Sequence, residues 1–244
     1  MKASVTVLLF LSLFELNVSV YRYHIFVNET LSWQEAQQHC RKHFDDLSTV
    51  RSKDLKDLSY NSLIKENHFW IGVQRDRWMW SNGEPATINE WDTAQGSDPG
   101  ENCAAIRKST KKLHDYGCSG HLTFYCMTDL DLILETKTWD EALDYCIERN
   151  TTLASMNSST IMDLAMNMAQ NALTVNVWTG LRFLMAHWFW VNGDDLEYKA
   201  WSNEGEVQCP AMNQRCGALD RDRRVWNPQN CQERLNFFCS IRRR

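Results

Sequence analysis

Ser32 to Cys40 reads SWQEAQQHC, and Thr138 to Cys146 reads TWDEALDYC. The two segments lie 106 positions apart, and the same offset carries Leu47 onto Leu153. Further along, Trp70 of Trp-Ile-Gly meets Trp178 of Trp-Thr-Gly at an offset of 108, and Trp80 and Trp91 meet Trp190 and Trp201 at 110. Cys103, Cys118 and Cys126 then meet Cys216, Cys231 and Cys239 at 113. An offset that grows in small steps is what loop insertions produce. Ten of the eleven tryptophans and eight of the nine cysteines fall into matched pairs, so the chain is two copies of one unit. The join lies near Thr128 to Asp131, short enough to bring the units into contact.

Each copy opens with a helix. Ser32 with Glu35, and Thr138 with Glu141, have the spacing of a capping box. Trp33, Ala36, Cys40 and Phe44 share one apolar face, as do Trp139, Ala142, Leu143, Cys146 and Ile147. A second helix is predicted after Ser52 and after Thr160. Short tryptophan-rich runs follow, punctuated by Asn82-Gly83 and Asn192-Gly193, which read as strands and hairpins. Val177 to Val191 is apolar but interrupted by Arg182 and His187, and it reads as core strands rather than a membrane span. Two helices followed by strands make an α+β domain.

With 43% apolar and 23% charged residues, the chain has the composition of folded domains, and a net charge of -5 lacks the basic footprint of a nucleic-acid binder. Val5 to Phe14, after Met1 and Lys2, is too short to span a bilayer and reads as the core of a signal peptide over residues 1–20. The reading is a secreted, extracellular protein; an uncleaved anchor tethering it to a membrane is the alternative. In that compartment disulfides are the default state of the cysteines.

Each copy resembles a C-type lectin-like domain, over residues 21–127 and 128–244. The carriers are the cysteine of the first helix, the Trp-Ile-Gly or Trp-Thr-Gly strand, the Trp-x-Trp-x-Asn-Gly turn, the later tryptophan, and three closing cysteines spaced 15 and then 8 apart. The resemblance implies two helices, small antiparallel sheets, a long loop and two disulfides per domain. Four cysteines allow three pairings, and the resemblance implies Cys40 with Cys126, Cys103 with Cys118, Cys146 with Cys239, and Cys216 with Cys231.

Sugar-binding members of that family hold a Ca2+ ion with carboxylates and amides that also bond sugar hydroxyls. Ca2+ takes six to eight oxygen ligands. In the first domain the family's triplet reads Asp98-Pro99-Gly100, the segment before the third-from-last cysteine reads Glu101-Asn102-Cys103, and the strand reads Leu113-His114-Asp115. Asp98, Glu101 and Asp115 supply three carboxylates, and His114 stands in place of an amide oxygen. Glu84-Pro85-Ala86 precedes Trp91 and is turn chemistry. In the second domain the strand reads Trp226-Asn227-Pro228, the triplet region Cys209-Pro210-Ala211, and Gln214 takes the glutamate position, leaving Asn227 as the clear oxygen ligand. The resemblance therefore leaves a Ca2+ site open in the first domain only. The ligand-binding candidates are Asp98, Glu101, Asn102, His114, Asp115 and Asn227.

Cys209 is left unpaired, which in a secreted chain suggests a disulfide-linked dimer. Asn28, Asn150 and Asn157 begin N-x-Ser/Thr sequons and are glycosylation candidates. His39 and His43 read as a solvated helix face; Arg221, Arg223 and Arg224, with Arg242 to Arg244, read as surface charge. No HExxH, GxSxG, P-loop or GxGxxG arrangement occurs, so the chain reads as a non-enzymatic lectin. Its expected partners are glycans or glycoproteins, in pathogen or glycoprotein recognition and innate immunity. The alternative is a calcium-independent module that binds a protein ligand.

Overall fold

A computed structural model describes residues 22–75, 77–86, 90–202 and 205–241. Residues 1–20, where a signal peptide is expected, and Arg242 to Arg244 lie outside the described residues. The first copy runs β1 (Arg22–Leu31), α1 (Trp33–His43), β2 (Asp46–Leu47), α2 (Ser52–Ser59), β3 (His68–Gln74), β4 (Met79–Trp80), β5 (Cys103–Arg107), β6 (Lys112–Tyr116) and β7 (Leu122–Lys137). The second continues α3 (Trp139–Ile147), β8 (Thr151–Leu153), α4 (Ser159–Ala169), β9 (Asn176–Leu184), β10 (His187–Trp190), β11 (Cys216–Asp220), β12 (Val225–Gln229) and β13 (Leu235–Ile241). This is the α+β fold with two helices per copy, and all four disulfides pair as the resemblance implies.

β7 belongs to both copies. Over its 16 residues it pairs first with β1, where Phe124 faces Val27 and Asp129 faces Arg22, and then with β13, where Leu130 faces Ser240 and Lys137 faces Leu235. The two copies thus share one sheet in the order β12-β11-β9-β13-β7-β3-β5-β6. Its pairs are antiparallel except β3 with β7 and β9 with β13. At the waist, Arg22 makes a two-pronged ion pair with Asp129, both contacts at 3.0 Å. Leu130 is buried there, in the same apolar cluster as Phe44 of the first copy and Ile161 and Met162 of α4.

Both capping boxes form: the Ser32 and Thr138 amides donate to Glu35 and Glu141 at 3.0 Å. The tryptophans then tie the layers together through their indole N–H groups, in the same way twice. Trp33 donates to the Ile71 carbonyl and Trp139 to that of Thr179, both at 2.9 Å. Trp70 donates to Leu31 at 2.9 Å and Trp178 to Lys137 at 3.0 Å. A buried donor without a partner costs free energy, and here backbone carbonyls of the neighbouring element supply the partners.

The glycines after these strand tryptophans have a steric cause. A Cβ on Gly180 would lie 2.6 Å from the Leu153 carbonyl oxygen, and one on Gly72 would lie 2.8 Å from that of Leu47. Backbone atoms cannot yield as a side-chain tip does. Gly180→Ala is therefore expected to cost about 1–3 kcal/mol, the usual range for overpacking. Thermal denaturation checks this, and an unchanged Tm would mean that β8 can shift away.

Two histidines are expected to make the first copy acid-sensitive. His24 lies 3.0 Å from the Ser48 hydroxyl and 3.9 Å from Asp54. Burial holds its pKa below the usual imidazole value, with Arg22 and Arg51 adding to the effect and Asp54 and Asp129 opposing it. His68 is likewise held down by burial, then by His114 and Arg107. Protonation then favours the unfolded chain, so stability is full above about pH 6.5 and falls as pH drops through that value. A Tm that declines between pH 7 and 5, with a shallower decline in His24→Asn, is the expected result.

Candidate ligand face in the long loops

The long loop of each copy runs from β4 to β5 and from β10 to β11, and each is clasped by a tryptophan. Trp78 donates to the Gly96 carbonyl at 3.2 Å and Trp188 to that of Val207 at 2.9 Å. Trp78 packs at a tilt against Trp91 with ring centroids 4.5 Å apart, and Trp188 against Trp201 at 5.1 Å. Arg75 adds a second clasp in the first copy, donating to the carbonyls of Asp98 and Ser97. Their role as clasps escapes sequence reasoning because the partners are main-chain carbonyls, which no residue type marks.

The structure brings Asp98, Glu101 and Asp115 near one another. The Asp98 amide donates to Asp115 Oδ2 at 3.1 Å, and Asp98 Oδ1 accepts from the Gly100 amide at 2.8 Å. The Glu101 carboxyl is pushed up, first by desolvation and then by repulsion from Asp115 and Asp98. Asn102 contributes its backbone, accepting from the Arg75 amide at 2.7 Å. His114 sits with Nδ1 2.7 Å from the Asp115 carbonyl oxygen and its ring 5.0 Å from that of His68.

The second copy differs. Asn227 Nδ2 donates to Asp220 Oδ2 at 3.2 Å, and Pro228 faces Gly217 on β12, the edge strand, where a missing N–H costs no ladder bond. Cys209 is free and exposed in the long loop. Met212 in the same loop is 85% exposed, and Leu184 and Met185, at the turn between β9 and β10, are 51% and 84% exposed.

The donor set does not fit a family-type Ca2+ site. A histidine nitrogen replaces an amide oxygen in the first copy, and Pro228 offers no side-chain oxygen in the second. Among the described residues, no three His, Cys, Asp or Glu side chains form a group that would hold a metal ion.

Elsewhere on the surface, Asn28 and Asn150 are exposed, while Asn157 is half-buried and donates to Asp194 at 3.1 Å. Arg221 lies against Asp222, Arg223 against Asp220 and Arg224 against Asp163. His39 is less solvated than expected, its ring edge-on to Phe124 at 5.3 Å. Among the described residues no helix is long and apolar enough to cross a membrane.

The family model described as the lectin C-type domain matches residues 29–128 and 135–241. The chain belongs to the C-type lectin domain family. It carries two such domains in tandem, and this fold is typically one of recognition rather than catalysis. The chain is 23% identical over 262 residues to lymphocyte antigen 75 of Homo sapiens, an alignment covering 89% of this chain and 15% of that protein. It is 22% identical over 267 residues to C-type mannose receptor 2 of Rattus norvegicus, covering 92% and 18%. With the secretory phospholipase A2 receptor of Oryctolagus cuniculus it shares 21% over 252 residues, covering 86% and 17%. The chain thus spans less than a fifth of the length of these relatives. Among solved structures, human lithostathine matches at 20% identity and a TM-score of 0.43, covering 47% of this chain and 83% of that one.

Proposed function

We propose that this chain is an extracellular, non-enzymatic recognition protein whose C-type lectin domains engage a glycoprotein through their long-loop faces without Ca2+. The observation that carries the reading is the donor set: a histidine stands at position 114 in the first domain and a proline at position 228 in the second, where the family's sugar-binding members place oxygen ligands. The second domain supports a protein surface as the contact, since Met212 in its long loop and Leu184 and Met185 at the β9–β10 turn are exposed. Methionine adapts to varied apolar partners, and exposed apolar patches mark interaction sites. A pair of matched loop faces, each clasped by a tryptophan, supports recognition by both domains.

A second reading is a calcium-dependent sugar site in the first domain. Its support is the approach of Asp98, Glu101 and Asp115, close enough for Glu101 to be pushed up by the other two. Probing a glycan and glycoprotein array with the full chain, in Ca2+ and again in chelator, separates the two. Retained binding in chelator is the expected result; binding abolished by chelator and restored by Ca2+ would favour the second reading.

A further inference from the structure

The shared strand fixes how the two long-loop faces stand to each other. β1 leaves the waist at Arg22, opposite Asp129, and ends at Leu31, opposite Leu122. Its counterpart in the second domain is the later half of β7, which leaves the waist at Leu130, opposite Ser240, and ends at Lys137, opposite Leu235. The two opening strands therefore run away from the waist in opposite directions, and everything built on them follows. At one outer end the Trp33 amide donates to the Cys118 carbonyl at 3.0 Å, and Cys118 is bridged to Cys103, where the first long loop closes. At the other, the Trp139 amide donates to the Cys231 carbonyl at 3.0 Å, and Cys231 is bridged to Cys216, where the second long loop closes. Arg182, on the hairpin beneath that loop, lies over the Trp139 ring at 4.6 Å and so belongs to the same end.

We propose that the chain is a bridging molecule: its loop faces point away from each other and engage ligands on two separate surfaces rather than neighbouring ligands on one. The span follows from the strand. At about 3.3 Å per residue, β7 sets the two loop bases roughly 50 Å apart. A flexible linker would let both domains bend to one surface, where avidity would add to weak affinities. Here the linker is a strand hydrogen-bonded on both sides, and Leu130 is packed at its centre. The inference rests on the long loops being the ligand faces, as proposed above, but its geometry can be measured without the ligand.

The first variant is Ser97→Cys, which places an exposed thiol in the first long loop; native Cys209 already supplies one in the second. Spin labels on this pair are expected to give a narrow distance distribution near or above about 50 Å, the length of a paired strand of this size. A dominant distance under about 30 Å, or a broad distribution reaching that range, would overturn the proposal. The same thiols carrying biotin test bridging directly. The doubly labelled chain is expected to agglutinate streptavidin-coated beads, whereas chains labelled only at Cys209 bind without agglutination. Beads that bind the double-labelled chain yet stay dispersed would also overturn it. Loss of the array signal with these geometric results intact would instead count against the loop faces as binding surfaces.

Discussion

Trp139→Ala is expected to unfold the second domain at physiological temperature. The side chain is 3% exposed, its indole N–H is bonded to the Thr179 carbonyl, and its ring carries the Arg182 guanidinium. Truncating a buried tryptophan costs about 3–5 kcal/mol, and stranding a buried carbonyl adds roughly 1–3 kcal/mol. That sum is a large part of the 5–15 kcal/mol by which domains are usually stable. Near-ultraviolet circular dichroism during heating reads the loss. Trp139→Phe keeps most of the ring volume and gives up mainly the hydrogen bond, so it should cost far less. Equal effects of the two variants would mean that the bond to Thr179, and not the packing, holds the helix on the sheet.

The long disulfides should matter more than the short ones. Cys146–Cys239 closes 93 positions of sequence and ties α3 to β13, whereas Cys216–Cys231 closes 15. If a bridge acts by restricting the unfolded chain, a 15-residue loop is worth about 3 kcal/mol and one near 100 residues about 4.7 kcal/mol. Replacing Cys146 and Cys239 together by alanine is therefore expected to lower stability more than replacing Cys216 and Cys231, by roughly 1–2 kcal/mol. Chemical denaturation of the two double variants checks the order, and a reversal would show that the short bridge does more than restrict the unfolded chain.

Much of this fold is legible because its scaffold residues are rare types. Tryptophans and cysteines recurring at offsets of 106 to 113 reveal two copies, and the Ser32 and Thr138 boxes mark where each begins. The fusion of the copies is not legible in the same way. Phe124 to Met127 and Leu130 to Leu134 are both largely apolar, but nothing in the residue types between them tells whether the hydrogen-bond ladder stops at Thr128 or continues into the pairing with β13. At the candidate face, Asp98, Glu101 and Asp115 are visible as acids in sequence. That two of them turn an oxygen toward backbone amides depends on the loop's path, which Trp78 and Arg75 hold through main-chain carbonyls. His39 reads in the sequence as part of a solvated helix face, and the sheet beside α1 shows that Phe124 lies against its ring.

Recognition without Ca2+ is tested by calorimetric titration of Ca2+ into the full, chelator-stripped chain, with Asp115→Ala in parallel. The expected result is no saturable heat up to millimolar Ca2+ and no difference between the two chains. Saturable binding in the natural sequence that disappears in Asp115→Ala would contradict the claim and place a metal site among Asp98, Glu101 and Asp115.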